Sequence, residues 1–207
     1  MTRLKKNIDI LNILTYKIKS WDRENDLIEL SELISDLEKF SRKERSLYYK
    51  EFFSDVALAE KLIYLYKNEN LTKEATINIV SCIGNMIKGY NLPPLDNFFK
   101  FFNELKNVKK IDYYVSLFIT NFPQFYMEDK KWDYILSILN ISPKAKSERN
   151  FYIEIKKILN RNECIPNNYL DKFIASFEKM YNKAKNDFYK NDYKEIILML
   201  NKLKWIL

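Results

Sequence analysis

Apolar residues recur at spacings of three and four along most of the chain, the pattern of amphipathic helices with one buried face. Ile8, Leu11, Ile13, Leu14 and Ile18 form the first stripe and predict a helix over about 5–21. Asp22, Arg23, Glu24 and Asn25 interrupt it, and Leu27, Leu30, Leu33, Ile34 and Leu37 predict a second helix over 26–40, with Glu29, Glu32 and Asp36 outward. Ser41 with Glu44 three residues on reads as a capping box for a short third helix through Phe53. Ser54 opens a fourth, with Val56, Leu58, Ala59, Leu62, Ile63 and Leu65 inward, and the polar tract 67–70 ends it. Thr72 is placed to cap a long apolar helix carrying Ala75, Ile79, Ile83, Met86 and Ile87. Gly89 is the expected left-handed residue at its end, and Pro93 and Pro94 bar continuation. Further stripes predict helices over 95–106, 108–122 (stopped by Pro123), 128–140, 147–159, 167–185 and 187–207, about ten to eleven in all.

Composition supports an all-α fold. The 207 residues include two glycines, Gly84 and Gly89, and five prolines, too few for the tight turns of an all-β or Rossmann-like chain. With 47% hydrophobic residues the chain buries a sizeable core without a disulfide or metal staple. It is expected to form one domain over 1–207: N-terminal helices at 1–70, helix pairs at 71–186 and a capping helix at 187–207.

Charge and cysteine usage narrow the partners. The formal net charge is +7, but the cations are mostly lysine, and the six arginines stand apart at positions 3, 23, 42, 45, 149 and 161. Arginine is the better residue for bidentate phosphate and base contacts, so the charge is a weak pointer to nucleic acid. Residues 151–207 carry eleven Lys and Arg against seven Asp and Glu, which puts +4 of the charge at that end. The apolar stretch after Arg3, Lys5 and Lys6 is broken by Asp9, Asn12, Lys17 and Lys19, unlike an export signal. The longest charge-free run, 113–127, is too short to span a membrane. A cytoplasmic location with Cys82 and Cys164 as thiols is the expectation.

Candidate chemistry is thin. Histidine is absent, which removes Ser-His-Asp and Cys-His nucleophile systems and His-containing zinc sites. Two glycines cannot build a Walker loop or a dinucleotide fingerprint. Cys82 reads as a small core hydrophobe and Cys164 as a thiol beside a loop. Asp22, Glu24 and Asp26, and Glu128, Asp129 and Asp133, are acidic sets without the Gly and terminal Glu of a calcium loop. No enzyme activity, cofactor or metal is expected. Basic residues interleave with aromatics at 42–50 (Tyr48, Tyr49), 109–114 (Tyr113, Tyr114), 130–132 (Trp132) and 179–190 (Tyr181, Tyr189). On helices such sets place the aromatics inward and the lysines outward; alternatively they track phosphates and stack bases.

The middle helices suggest a loose repeat, with Ile79-Val80-Ser81-Cys82-Ile83 set against Tyr114-Val115-Ser116-Leu117-Phe118 and Tyr152-Ile153-Glu154-Ile155-Lys156. The run Thr72-Lys73-Glu74-Ala75-Thr76-Ile77-Asn78-Ile79-Val80-Ser81-Cys82-Ile83-Gly84-Asn85-Met86 resembles the first helix of a HEAT-like repeat, with small residues where helices approach. The proline and the Asp and Arg ladder usual in such repeats are absent, so an irregular helical bundle stays open. The resemblance implies antiparallel helix pairs stacked as a short right-handed solenoid whose concave face binds a partner. Size, composition and absent catalytic residues also resemble HEAT-like immunity proteins, which implies an inhibitor of a cognate protein toxin, here one with an acidic surface. A nucleic-acid-binding helical repeat is the alternative. In either case Lys100, Lys130, Lys131, Lys172, Lys179 and Lys183 are the candidate partner-binding residues, placed outward by helical spacing.

Overall fold

The computed structural model describes residues 2–22, 26–43 and 47–204. Among the described residues the chain is helical throughout, without a strand, and holds twelve α-helices. It forms two compact units, Met1–Met127 and Glu128–Leu207.

The first unit contains α1 (Arg3–Lys19), α2 (Leu27–Lys43), α3 (Lys50–Phe53), α4 (Val56–Asn68), α5 (Lys73–Tyr90), α6 (Asp96–Leu105), α7 (Asp112–Ser116) and α8 (Pro123–Tyr126). Helix α5 is its spine, packing on α2, α3, α4 and α7. Thr72 caps it as expected, its side chain accepting from the Ala75 amide at 3.1 Å. Ala75, Ile79, Val80, Cys82, Ile83 and Met86 are all buried along it. On α1 the stripe is shifted from expectation: Ile13 is exposed and Thr15 is buried, its hydroxyl returning to the Leu11 carbonyl at 2.8 Å. The fourth helix starts one residue later than expected. Its cap is Asp55, whose carboxylate accepts from the Ala57 and Leu58 amides and from Lys19.

Asp55 carries a testable pH dependence. Partial burial pushes its carboxyl up, but the Lys19 ammonium and the two amides outweigh that and hold it below the ordinary carboxylate value. A carboxyl lowered in the folded state stabilises above its unfolded pKa, and the contribution disappears as pH falls through the folded value. Asp55→Ala is therefore expected to cost about 1 kcal/mol at neutral pH, and less in acid below the folded pKa. Urea titrations at neutral and acidic pH check this.

Several expected boundaries are corrected. Ser41 does not cap a third helix: it lies inside α2, its hydroxyl donating to the Glu38 carbonyl at 2.7 Å and accepting from Asn85 at 3.2 Å. Glu44, the other half of that box, lies outside the described residues. Gly89 is helical, and the left-handed residue is Asn91 with φ 61°. Two further helical residues let the ring of buried Tyr90 meet Phe53 at 4.8 Å, and the Asn91 and Leu92 amides then close on the Met86 carbonyl. The continuous helix expected over 108–122 is instead α7 and a 3-10 turn at Ile119–Asn121, and α8 opens at Pro123, where the helix was expected to stop. Ile119, Phe122 and Phe125 recur every third residue and are buried, which the three-residue period of a 3-10 winding serves.

The second unit contains α9 (Lys131–Ser137), α10 (Lys144–Asn160), α11 (Asn167–Lys183) and α12 (Asp187–Lys204). Its helix expected over 128–140 begins at Lys131 and tightens to a 3-10 turn at Ile138–Asn140. Helix α11 packs most extensively on α12. Aromatic rings run through the unit: Trp132 meets Phe173 at 6.1 Å, Phe173 meets Phe151 at 5.8 Å, Phe151 stacks on Phe177 at 5.1 Å, and Phe177 meets Tyr193 at 6.0 Å. Among the described residues no helix is long and apolar enough to cross a membrane. Trp205, Ile206 and Leu207, the end of the expected last stripe, lie outside them.

Candidate partner-binding surface

Helix α11 starts after Pro166, which fixes φ for helix entry. Leu170, Phe173, Ile174, Phe177 and Met180 are buried on one face, so the spacing turns Lys172, Ser176, Lys179 and Lys183 to the other. Helix α10 starts after Pro143, with the Lys146 and Ser147 amides closing on the Pro143 carbonyl. That start brings Lys144 and Glu148 alongside α11. A groove of about 260 Å³ results, lined by Asn140, Lys144, Glu148, Ser176, Lys179 and Lys183 over an apolar floor. Among the described residues none of the three lysines has an acid within ion-pair distance. The unit as a whole, 128–207, carries sixteen Lys and Arg against eleven Asp and Glu, a net +5.

A second hollow of about 170 Å³ adjoins the groove and shares Glu148, Met180 and Lys183 with it. Its wall is Arg149, whose guanidinium lies 4.4 Å from the Tyr152 ring, 5.6 Å from Tyr189 and 5.8 Å from Phe188, and donates to Asp192 at 2.5 Å. Phe188 and Tyr189 are 60% and 41% exposed at the start of α12, where Asn186 accepts from the Phe188 amide at 2.8 Å. Burial pushes the Tyr193 phenol up, and the Glu148 carboxylate, which lines the same hollow, raises it further. Arg149→Lys keeps the charge but loses the flat stack and the fork geometry. It is expected to cost about 1 kcal/mol, read by urea unfolding of the full chain.

Comparison with known protein families, characterised proteins and solved structures found no match. The surface is therefore interpreted from its own residues.

Of the lysines singled out by helical spacing, Lys179 and Lys183 share the groove. Lys172 is exposed one turn upstream on the same face, 4.9 Å from the Tyr169 ring. Lys130 is exposed in the turn before α9, and Lys131, the first residue of α9, is half-buried 5.3 Å from the Trp132 ring. Lys100 is exposed on α6, in the other compact unit. Lys144 went unnoticed because the expected helix began at 147, three residues too late; the Ser142-Pro143 dipeptide was the signal for the earlier start.

The aromatics divide. Tyr49 and Trp132 are buried, while Tyr48 and Tyr189 are exposed, so the rule that helix aromatics face inward fails at these two. Cys82 is fully buried, and burial pushes its thiol far up, which makes it inert. Cys164 is exposed beside a hollow of about 450 Å³ with Leu159, Ile165, Met199 and Leu203. Asp133 accepts from the Tyr169 hydroxyl at 2.8 Å, and Glu24 lies outside the described residues. In the first unit, buried Glu38 accepts from Ser81 at 2.7 Å and from Arg42 at 3.0 Å, a polar link between α2 and α5 that periodicity did not reveal.

Proposed function

We propose that this chain is a non-catalytic binding module whose partner is a protein presenting an acidic surface to the α10–α11 groove. The observation that carries the reading is that Lys144, Lys179 and Lys183 line one groove and that, among the described residues, none of them has an acid within ion-pair distance. Cations lining one groove attract an acidic partner surface and steer its encounter. In its narrower form the module is an immunity or inhibitor protein that neutralises a cognate protein toxin, in keeping with the resemblance of its α5 segment to HEAT-like repeats. Close packing of α1 on α2 and of α11 on α12 is what stacked antiparallel helix pairs supply, each within its own unit. Two free thiols, Cys82 and Cys164, fit work in a reducing cytoplasm.

The test is capture of partners by the tagged protein from the lysate of its native cells, with and without nuclease. A single protein retained stoichiometrically after nuclease, and arresting growth when expressed without this chain, is the expected result. Retention of nucleic acid alone, weakening steeply with salt, would establish the nucleic-acid-binding alternative instead.

A further inference from the structure

We infer that the groove takes a single acidic polypeptide segment anchored at one end by an aromatic or long aliphatic side chain, with the anchor seated on Phe188 and Tyr189. This rests on the protein-binding reading above and adds the chemistry of the bound segment. The two hollows adjoin and share Glu148, Met180 and Lys183 in their walls, so one ligand segment laid across these residues reaches both. From Ser176 to Lys183 the groove follows roughly 10 Å of helix, the reach of about three extended residues or two helical turns.

The two ends ask for different chemistry. Lys144, Lys179 and Lys183, which among the described residues have no ion-pair partner, offer ammonium groups to carboxylates. Arg149 does not, because Asp192 already neutralises it; its plane stiffens the aromatic platform. Phe188 is exposed beside that platform next to exposed Tyr189, so the two rings present one aromatic surface. Aromatic rings around an immobilised arginine are the composition of interface anchor points, and a stiff platform loses little freedom on binding.

Glu148 decides between polypeptide and nucleic acid. It stands at the junction of the hollows and can only accept hydrogen bonds. A peptide backbone crossing it is neutral and supplies N–H donors while its acidic side chains turn toward the lysines, whereas every link of a phosphodiester backbone is anionic and is repelled. The arrangement of three cations, one acceptor and an aromatic platform thus matches an acidic peptide with an apolar end.

The experiment is an amide NMR titration of the isotope-labelled full chain with three probes: a glutamate-rich synthetic peptide ending in phenylalanine, the same peptide with serine in that place, and an oligothymidylate of equal length. The first peptide is expected to shift amides around Lys144, Glu148, Lys179, Lys183, Phe188 and Tyr189. Its affinity should fall about tenfold on the phenylalanine-to-serine change, about tenfold with Lys179→Glu/Lys183→Glu, and severalfold with Phe188→Ser. Amide dispersion of each variant establishes that it is folded. Equal binding of the two peptides, or no shifts at Phe188 and Tyr189, overturns the anchor. Absence of any peptide-induced shifts overturns the proposed occupant while leaving partner capture as a separate test of the protein-binding reading. Oligothymidylate producing the groove shifts in place of the peptide overturns both.

Discussion

Phe177→Ala is expected to destabilise the second unit by about 3–5 kcal/mol. Phe177 is fully buried on α11, stacked on Phe151 at 5.1 Å and meeting Tyr193 at 6.0 Å, so its ring joins α10, α11 and α12. Removing it forfeits burial of a whole ring and leaves a cavity that three packed helices cannot collapse to fill. A loss of that size is a large part of the stability of a domain of this size. Hydrogen exchange read peptide by peptide checks it. Amides of α10, α11 and α12 should lose protection by about two to four orders of magnitude, from about 1.4 kcal/mol per factor of ten, while α1 and α4 keep theirs. Unchanged protection in α11 would show that the ring is not a keystone.

Gly84→Ala is expected to cost about 1–3 kcal/mol through overpacking. A Cβ built at Gly84 meets the Phe118 ring at 2.2, 2.3 and 2.6 Å, at the ring's root and both flanking carbons. Those atoms cannot swing aside as the tip of a flexible chain does, so the α5 backbone or the 3-10 turn after α7 has to move. Small residues elsewhere on α5 are no test of this, because Gly84 is where an aromatic face lies directly on the helix. Phe118→Leu should therefore cost less in the Gly84→Ala background than in the native chain. The coupling in the double-mutant cycle should amount to about 0.5–3 kcal/mol, measured by urea denaturation. Strict additivity of the two substitutions would contradict the contact.

These two residues mark what the sequence could and could not convey. Period and cap chemistry located the long helices, because Thr72 offers a hydroxyl where α5 needs one and Pro93-Pro94 forbids continuation. The same local logic misplaced the end of α5, since Gly89 is the better left-handed residue in isolation. Tyr90, drawn in by Phe53, moved the turn to Asn91. Periodicity likewise leaves 112–126 undecided, where apolar residues at four-residue spacing are equalled by others at three, and Phe118 lies against Gly84 just before the 3-10 turn. Ser41 looked like a helix start because a hydroxyl with an acid three residues on caps helices; it lies instead, with Glu38, in the buried seam between α2 and α5.

The candidate surface was half legible. Spacing turned Lys172, Lys179 and Lys183 to one face of α11, and charge counting pointed to the C-terminal part. Which neighbouring helix would close that face into a groove depends on packing between α10 and α11, and no periodicity within one helix encodes it. Lys144 and the Arg149 platform follow from that packing alone. Lys100 and Lys130 show the limit from the other side: outward spacing selects exposed lysines without telling which of them meet.

The most direct measurement of the central claim is isothermal titration of the captured partner protein against the native chain and against Lys144→Glu/Lys179→Glu/Lys183→Glu. These are surface positions, so the substitutions are expected to leave the fold intact to within about 0.5 kcal/mol. The account predicts at least a hundredfold weaker binding for the variant, and a loss that shrinks as salt rises. Equal affinity for both proteins would contradict it and remove the groove from the function of this chain.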